Sequence, residues 1–513
     1  MLLQNPSCVR CSFKKPFFSR TSAAPHSQFR ETQLKMPEEV DYTLPPALDL
    51  KLDKNAFRNT EILFAVGVPL GKEFKKVSEK LRGYATGYLA LPSTDSNGMR
   101  RKLIPIQRID DSKAWDQLRN FNVDVPSSPN EDISYLETHP NALLVENCPS
   151  SERSDGYTLP SKPCAFRMPL VYENYPLVRA LRVVLPSDME AITGFTLVGH
   201  VAHFNLKPAA LPYRKLIGQI ALDKLPLVRT VVNKAAKIDA QFRTFTVDLM
   251  AGEENYLTEV KENGVTYQLD FSKVYWNSRL GTEHCKIIEE IKSVAKSSAT
   301  SVVVFDVFAG VGPFSIPLAR IGNCQVFAND LNPDSFHFLK ENVSRNSSRK
   351  RPLTTKQIKC FNLDGRDFIR EIVLPYYKTV SPSDSTEFFM LLNLPELAIE
   401  FLDVFKGLKC ECPTHPIHIR CYCFVRHHLG GDTSKTSKQV EADIDARRRV
   451  CEALGVELAA VSTDDHEKFS GIHLTDWKVR FVRNTAPLKD MYCIQFDLHL
   501  CTPHALAKRS RTN

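Results

Sequence analysis

The sequence has no run of about 18 apolar residues, which excludes an ordinary membrane-spanning helix. It also shows no secretory signal, so we expect its 14 cysteines to be reduced thiols and not disulfides. Hydrophobic residues make up 43% and charged residues 25%, which excludes a fibrous or wholly disordered chain. We therefore expect a globular protein with no membrane partner. A chain of 513 residues is longer than a domain with one hydrophobic core, so we predict two or three domains plus tails.

Acidic residues are missing from the first thirty positions. The basic residues there, all before Glu31, are Arg10, Lys14, Lys15, Arg20 and Arg30. A basic stretch without acid is typical of a mitochondrial transit peptide, and a disordered basic tail is the alternative. We predict such a tail over residues 1–40. An internal start at Met36 would remove it, so we expect a mitochondrial matrix form together with a cytoplasmic or nuclear one.

The formal net charge of +8 falls largely in this tail, so the rest of the chain is only mildly basic. An RNA-binding surface would therefore have to come from local patches. Two candidate patches lie at residues 345–351 and at Arg447, Arg448 and Arg449. Each fits either a solvated face or a set of phosphate contacts.

Potential metal ligands are densest at Cys410, Cys412, Cys421 and Cys423, with His415 and His418 between them. Only one residue separates the two cysteines of each pair, whereas zinc ligand pairs usually have about two to four. Residues 417–424 alternate as a half-buried strand does, with Cys421 and Cys423 on the apolar face. The pattern favours cysteines packed in a core, and we predict no metal site.

The chain divides by composition into three parts after the tail. Breaks rich in Pro, Ser and Asn at residues 125–131 and 149–156 predict an N-terminal domain over residues 41–150. Residues 165–272 predict a small α+β domain, with strands in the apolar pieces 168–185 and 195–206, a helix at 214–223, and strands at 241–250 and 265–271. Residues 273–513 alternate helix-like and strand-like segments. Strands that are apolar on both faces predict a parallel sheet covered by helices, an α/β fold of Rossmann type.

Within this last part a helix is predicted at 283–295. The predicted strands are 302–308, 325–329, 357–363, 388–393, 417–424 and a late pair at 479–482 and 491–498.

A glycine-rich turn follows the first of these strands and opens a helix. Gly310 and Gly312 would let the backbone approach a ligand, and the helix N-terminus would offer free N–H donors. No Lys or Arg lies in the turn to hold a phosphate. Asp306 would repel a pyrophosphate while attracting the ammonium and sulfonium groups of S-adenosylmethionine. The turn therefore favours S-adenosylmethionine over NAD.

Polar residues also end the next three predicted strands. Asp330 could accept both hydroxyls of a ribose, Asp364 could accept an adenine amino group, and Asn393 follows the fourth strand. Each alone fits a cap of the following helix, but the set describes one crevice at the carboxyl edge of an open sheet. The predicted cofactor contacts in this crevice are Asp306, Gly310, Asp330, Leu331, Asp364, Gly365 and Asn393.

Several long motifs resemble those of the archaeal and eukaryotic tRNA (guanine 37, N1)-methyltransferases. They are the segments 199–206 and 273–284, the glycine turn, 393–402 and 479–483. The resemblance covers residues 196–496, while the first 150 residues match loosely. It implies a class I methyltransferase domain at the C-terminus, S-adenosylmethionine as cofactor and a tRNA with guanine at position 37 as partner. It also implies an N-terminal domain that reads the tRNA outer corner, and a monomer.

Methylation of guanine N1 requires a general base, because the neutral ring nitrogen carries a proton. Negative charge then grows on O6, where a cationic donor would stabilise it. The resemblance implies Glu283 as the base, Arg243 as the donor to O6 and Asn393 as the group that orients the guanine edge. It also implies that Tyr275 packs beside the methionyl group and that His284 lines the cofactor pocket. Without the resemblance, Glu283 fits a helix-capping carboxylate and Arg243 a surface strand residue.

Three other functions stay open from the sequence. Methyltransferases acting on exocyclic amines commonly carry Asn or Asp, two prolines and an aromatic, where this chain has Asn393, Leu394, Pro395 and Glu396. A wybutosine-type aminocarboxypropyl transferase uses the same cofactor but does not need the base at Glu283. A non-catalytic tRNA-binding protein would not need Glu283 and Arg243 together.

Overall fold

A computed structural model describes residues 46–69, 91–94, 100–106, 164–238, 245–296, 300–349, 352–381, 384–408, 415–427, 435–457 and 471–501. The predicted tail at residues 1–40 lies outside this described part, as does Arg243. No helix among these described residues is long and apolar enough to cross a membrane.

The first part of the chain forms an antiparallel sheet. After a 3-10 turn at Lys54–Phe57, its strands are β1 (Asn59–Pro69), β2 (Leu91–Thr94), β3 (Arg100–Ile106) and β4 (Cys164–Leu170). They lie in the order β2-β3-β1-β4. Since β4 pairs with β1 from Asn59↔Leu170 to Ala65↔Cys164, this sheet takes its last strand from beyond the boundary predicted at residue 150.

A small α+β unit follows. Its elements are a 3-10 turn (Tyr172–Asn174), α1 (Leu177–Val184), β5 (Phe195–Val198), β6 (Val201–Phe204), a 3-10 helix (Pro208–Tyr213), α2 (Arg214–Lys224), β7 (Thr230–Ile238) and β8 (Phe245–Gly252). The sheet order is β5-β6-β7-β8, with β6 and β7 parallel. The strand predicted through residue 185 is wrong, because the chain is helical in α1. The buried residues of α1 have helical spacing, and they are Leu177, Ala180 and Leu181. The apolar face therefore repeats about every 3.6 residues, as in a helix, and not every two residues, as in a strand.

A two-stranded hairpin, β9 (Leu257–Glu262) and β10 (Val265–Asp270), connects this unit to the rest of the chain. Its inward residues Val265, Tyr267 and Leu269 pack in one cluster with Val201 of β6 and Ile316 after the glycine turn. The predicted boundary at residue 272 therefore does not separate two independent cores.

The C-terminal part is a seven-stranded sheet with helices on its faces. In chain order its elements are a 3-10 turn (Ser278–Leu280), α3 (Gly281–Val294), β11 (Ser301–Asp306), α4 (Ser315–Ala319), β12 (Cys324–Asn329), α5 (Pro333–Arg345), β13 (Ile358–Phe361), α6 (Gly365–Phe368), a π-helical turn (Ile369–Val373), α7 (Leu374–Thr379), β14 (Thr386–Leu392), a 3-10 helix (Ala398–Phe405), β15 (Ile417–Arg426), α8 (Lys435–Leu454), β16 (Gly471–Ala486) and β17 (Lys489–Cys501).

The strand order is β13-β12-β11-β14-β15-β17-β16. The first five strands are parallel, and β17 and β16 join antiparallel. The predicted α/β Rossmann-type fold is confirmed, although the late strand pair adds an antiparallel edge to the parallel sheet. Chain order reverses beside β11, between β12 and β14, which is the point at which such sheets bind their ligands.

Both faces of the sheet are buried, because successive residues of a strand point to opposite sides. On β11, Val303 and Phe305 belong to one core cluster, while Val302 and Val304 belong to the other. On β15, Cys421 and Cys423 are fully buried. The prediction that these two cysteines are core residues is confirmed.

Candidate active site

One cavity lies at the carboxyl edge of the sheet, where the strands on either side of the reversal end. Its volume is about 410 Å³. Its walls include seven of the predicted site residues, Tyr275, Gly310, Asp330, Leu331, Asp364, Gly365 and Asn393. The tertiary structure thus gathers groups that are separated by more than a hundred residues in the chain.

The glycine turn forms one wall of this cavity. Gly310 and Gly312 both have positive φ, +56° and +100°, a region that strongly favours glycine. A Cβ atom on Gly312 would lie 2.8 Å from Cδ1 of Ile316 and 2.9 Å from Cδ1 of Leu339. Gly312 therefore allows close packing behind the turn, while Gly310 holds the turn open to the cavity.

Asp330 fixes the glycine turn to the next strand. Its Oδ2 accepts a hydrogen bond from the Gly310 N–H at 2.8 Å, and its Oδ1 accepts one from the Asn332 N–H at 3.0 Å. Burial raises the pKa of Asp330 to about 6, although these backbone donors partly offset the rise. The carboxylate still faces the cavity, where it can accept the hydroxyls of a ribose.

Asp364 and Asn393 supply polar groups just after β13 and β14. Oδ1 of Asp364 caps α6 by accepting the Arg366 N–H at 2.8 Å, which leaves Oδ2 for a ligand. The Oδ1 atom of Asn393 is buried and has no hydrogen-bond partner among the described residues. A buried acceptor without a partner costs free energy, so a donor from a bound molecule would stabilise it. Together with Asp330, these groups fit an adenosyl cofactor and an amine-bearing base.

Asp306 was predicted to contact the cofactor in this crevice, but its side chain lies elsewhere. It is fully buried, accepts a hydrogen bond from Ser315 Oγ at 2.6 Å and does not line the cavity. Burial, with the nearby charge of Asp330, raises the pKa of Asp306 to about 7, although the Ser315 hydrogen bond opposes the shift. Direct contact between Asp306 and the cofactor stays a prediction.

We expect Asp306→Asn to raise the melting temperature of the cofactor-free protein at pH 8. The folded-state pKa of Asp306 lies above its unfolded value, so the wild type loses stability as the pH rises from about 3.8 to about 7, where only the unfolded chain has ionised, and the loss is complete above about 7. Asn cannot ionise, so its advantage should shrink toward pH 5. Thermal melts of both proteins at several pH values measure this. A melting difference independent of pH would show that Asp306 does not titrate in this range.

Glu283 lies in the first turn of α3 with only 8% of its surface exposed, and it does not line the cavity. Arg480 of β16 binds it in two places, Nη1 to Oε2 at 2.8 Å and Nη2 to Oε1 at 2.5 Å. Tyr422 donates its hydroxyl to Oε1 at 2.8 Å. Burial alone would raise the pKa of Glu283, but the hydrogen bonds and charge of Arg480 outweigh it and lower the pKa below its usual value. Glu283 is therefore ionised at neutral pH.

His284 is likewise not among the residues that line the cavity. Its Nδ1 lies 2.6 Å from Oε1 of Glu262 on β9, and its ring packs edge-on against Phe314. This contact ties α3 to the β9–β10 hairpin. The role of His284 in the cofactor pocket stays a prediction, and so does the role of Arg243, which is outside the described residues.

Three residues of this region were missed by sequence reasoning. Tyr422 and Arg480 hold Glu283, and Arg483 of β16 lines the cavity. In the sequence, the motif at residues 479–483 indicates only the family resemblance. Two arginines three positions apart in a late strand are a weak signal, and nothing in the sequence indicates which residues or cavity they contact.

A second, larger cavity of about 900 Å³ adjoins the first and shares Pro395 and Phe424 with it. Several charged side chains in its wall are ion-paired, as in the pairs of Arg449 with Asp445 and Lys489 with Glu396. It lacks the strand-end groups of the smaller cavity, which therefore remains the candidate site.

The fold and these strand ends define a Rossmann-type methyltransferase domain. Residues 258–382 match the family described as TRM5/TYW2 methyltransferase domain, and residues 177–255 match the TYW2 N-terminal domain. The chain is 34% identical to the tRNA (guanine(37)-N(1))-methyltransferase of Homo sapiens over 510 residues, which is 97% of this chain and 84% of that protein. The chain therefore belongs to the tRNA (guanine(37)-N(1))-methyltransferase family.

Other relatives match over shorter stretches. The enzyme of the same description from Xenopus tropicalis is 42% identical over 340 residues, which is 65% of this chain and 60% of that protein. Among solved structures, Trm5b from Pyrococcus abyssi aligns with 24% identity and a TM-score of 0.43 over 85% of this chain and 99% of that one. The matched methyltransferase-domain segment, residues 258–382, includes the glycine turn and the strands β11, β12 and β13 of the C-terminal part.

Proposed function

We propose that this protein transfers the methyl group of S-adenosylmethionine to N1 of guanine 37 in tRNA. The observation that carries the proposal is the cavity at the carboxyl edge of the sheet. It combines carboxylates suited to an adenosyl group with the unpartnered Oδ1 of Asn393, which can accept a hydrogen bond from the exocyclic amine of guanine. The family relatives bear the name of this reaction.

The cofactor supplies an electrophilic methyl group on a sulfonium, so the protein has to position the two reactants and remove one proton. Asp330 and Asp364 hold the nucleoside end of the cofactor, and Asn393 orients the guanine edge. Tyr275, 41% exposed in the cavity wall, offers a face to either ligand. Positioning by fixed groups of this kind accounts for a large share of the rate in two-substrate reactions.

Glu283 accepts the N1 proton in this proposal. Leu280 lines the cavity and precedes Glu283 by about one helical turn, so α3, which carries this carboxylate, begins at the cavity wall. A carboxylate has about four lone-pair sites, and Arg480 and Tyr422 occupy three of them. One site is left for the proton. Arg243 donates to O6 in the same proposal, where negative charge develops as N1 loses its proton.

Two related reactions share this fold. An aminocarboxypropyl transfer would use the same cavity, since the matched family is described by both the TRM5 and TYW2 names. Methylation of the exocyclic amine would use Asn393 as well. The ionised, clamped Glu283 favours N1 methylation, because neither of the other reactions needs to remove the ring proton.

The test measures the transfer of label to tRNA from S-adenosylmethionine that is labelled either in its methyl group or in its carboxyl carbon. We expect only methyl label to enter an unmodified tRNA transcript with guanine at position 37, and the modified nucleoside to be N1-methylguanosine on digestion and mass spectrometry. A transcript with adenine at position 37 is the control. Carboxyl label in the tRNA would establish aminocarboxypropyl transfer instead. Equal methyl label in both transcripts would overturn the substrate assignment.

A further inference from the structure

The loops that carry Asp330 and Asp364 into the cavity begin where the backbone pairing of their strands ends. The last residue pair between β12 and β13 is Asn329↔Phe361, and one further backbone hydrogen bond runs from the Asp330 N–H to Phe361 O at 3.2 Å. Backbone groups past the end of such a ladder need partners from side chains or water. Side chains can therefore decide how far apart the two loops lie.

Asn329 supplies the first set of these hydrogen bonds. It is only 1% exposed and does not line the cavity. Its Nδ2 donates to Leu363 O at 3.0 Å and to Val307 O at 3.1 Å, and its Oδ1 accepts from the Leu363 N–H at 2.9 Å. The amide thus pairs with Leu363 as the backbone of a neighbouring strand would. It holds the residue before Asp364 and also the residue after β11.

Asn362 supplies the second set from the other strand. It is exposed and does not line the cavity. Its Nδ2 donates to Asp330 O at 2.7 Å and to Leu331 O at 2.9 Å, and both acceptors belong to residues of the cavity wall. The two amides therefore cross the same gap in opposite directions. Asn329 holds the main chain beside Asp364, and Asn362 holds the main chain of Asp330.

The distance between the two loops matters for a nucleoside. Adenosine carries its ribose hydroxyls and its adenine amino group at opposite ends, where Asp330 and Asp364 can accept them. Hydrogen bonds weaken steeply outside a narrow range of distance and angle. Both carboxylates can therefore bind one adenosine only if the main chain of the two loops is held at the matching separation.

We propose that Asn329 and Asn362 are positioning residues for the nucleoside end of the cofactor, which together set the separation of the Asp330 and Asp364 carboxylates. This inference rests on the proposed function for the identity of the nucleoside. The two amides act on cofactor binding alone, so the binding of tRNA and the chemical step should not depend on them once the cofactor is bound.

The test is the Kd of the full-length protein for S-adenosylmethionine and for adenosine, measured by calorimetry well below the melting temperature. We expect Asn362→Ala to weaken the binding of both ligands by about tenfold, since two hydrogen bonds that hold the Asp330 loop are lost. The KM for S-adenosylmethionine should rise by the same factor, while kcat at saturating cofactor and the Kd for tRNA stay unchanged. Asn329→Ala should weaken binding further, because it removes three hydrogen bonds. Asn362 is exposed, so its variant tests the inference even if the variant of the buried Asn329 fails to fold.

The matched control is Asn323→Ala. Asn323 directly precedes β12 at the opposite edge of the same sheet, where its Nδ2 donates to Ala295 O at 2.8 Å and to Thr300 O at 2.6 Å. This variant also loses two hydrogen bonds from an amide to backbone carbonyls. It should lower the melting temperature about as much as Asn362→Ala does, but leave the Kd for adenosine at the wild-type value.

A double variant tests whether Asn362 acts through Asp330. In Asp330→Asn the charged acceptor for the ribose is already lost, so adding Asn362→Ala should weaken adenosine binding less than it does in the wild type. Unchanged adenosine binding in Asn362→Ala, an equal loss in Asn323→Ala, or full additivity in the double variant would each overturn the inference while methyl transfer by the wild type still stood. A wild type that binds S-adenosylmethionine but methylates no tRNA would instead remove the proposed function.

Discussion

Replacing Glu283 by Gln is expected to lower kcat for methyl transfer by about 100- to 10,000-fold, the range typical of a lost general base. Gln is close to Glu in shape and can still accept from Tyr422 and Arg480, but it cannot take a proton from guanine N1. The Kd values for S-adenosylmethionine and for tRNA should change little, because Glu283 does not line the cavity. Single-turnover kinetics with saturating tRNA measure the chemical step.

The matched control for this change is Glu289→Gln on the same helix, whose carboxylate is exposed and pairs with Lys292. It should retain wild-type kcat. Glu283→Gln acting at the wild-type rate would show that another group removes the proton. A loss of kcat accompanied by an equal loss of cofactor binding would assign Glu283 a structural role.

Replacing Arg480 by Met should have the second largest effect. It leaves the Glu283 carboxylate buried with Tyr422 as its remaining partner, and breaking a buried ion pair in this way costs about 3 kcal/mol of folding stability. The pKa of Glu283 should rise, because burial raises it and Arg480 is the main group that lowers it. Denaturant unfolding measures the first effect.

The pH profile of kcat measures the second effect. In the wild type the folded-state pKa of Glu283 is lowered, so its carboxylate stays ionised down to acidic pH. It is protonated, and activity is lost, only as the pH falls through that low pKa. In Arg480→Met we expect the acidic limb of the profile to move to higher pH. The double variant Glu283→Gln/Arg480→Met should be less destabilised than Arg480→Met alone, since the uncompensated charge is gone. A profile that does not move would contradict the coupling between Arg480 and the base.

The Rossmann-type part of the fold could be predicted because its signals are local. Strands such as β11 and β12 are short apolar runs that end in a polar residue, so both the hydrophobic pattern and the polar strand ends indicate the fold. The helix α1 was missed because its eight residues are rich in Leu and Val, which suit strands and helices alike. Only its contacts with the neighbouring core decide between the two.

The candidate site also has residues that the sequence predicts and contacts that it does not predict. Gly310, Asp330, Asp364 and Asn393 were predictable because each follows a strand, and parallel strands end at one edge. Glu283 was identified from family motifs, but its environment was not. Arg480 lies 197 residues further along the chain and meets it only because β16 forms the far edge of the sheet.

By itself the amino-acid sequence determined the fold class, the glycine turn and the polar ends of the strands, since these depend on the order of neighbouring residues. Only the tertiary structure decided that Asp306 is buried behind the turn, that Glu283 is clamped by Arg480 and Tyr422, and that Arg483 lines the cavity. These properties depend on burial and on charges brought close from distant parts of the chain. Both arise from packing, which local sequence patterns do not specify.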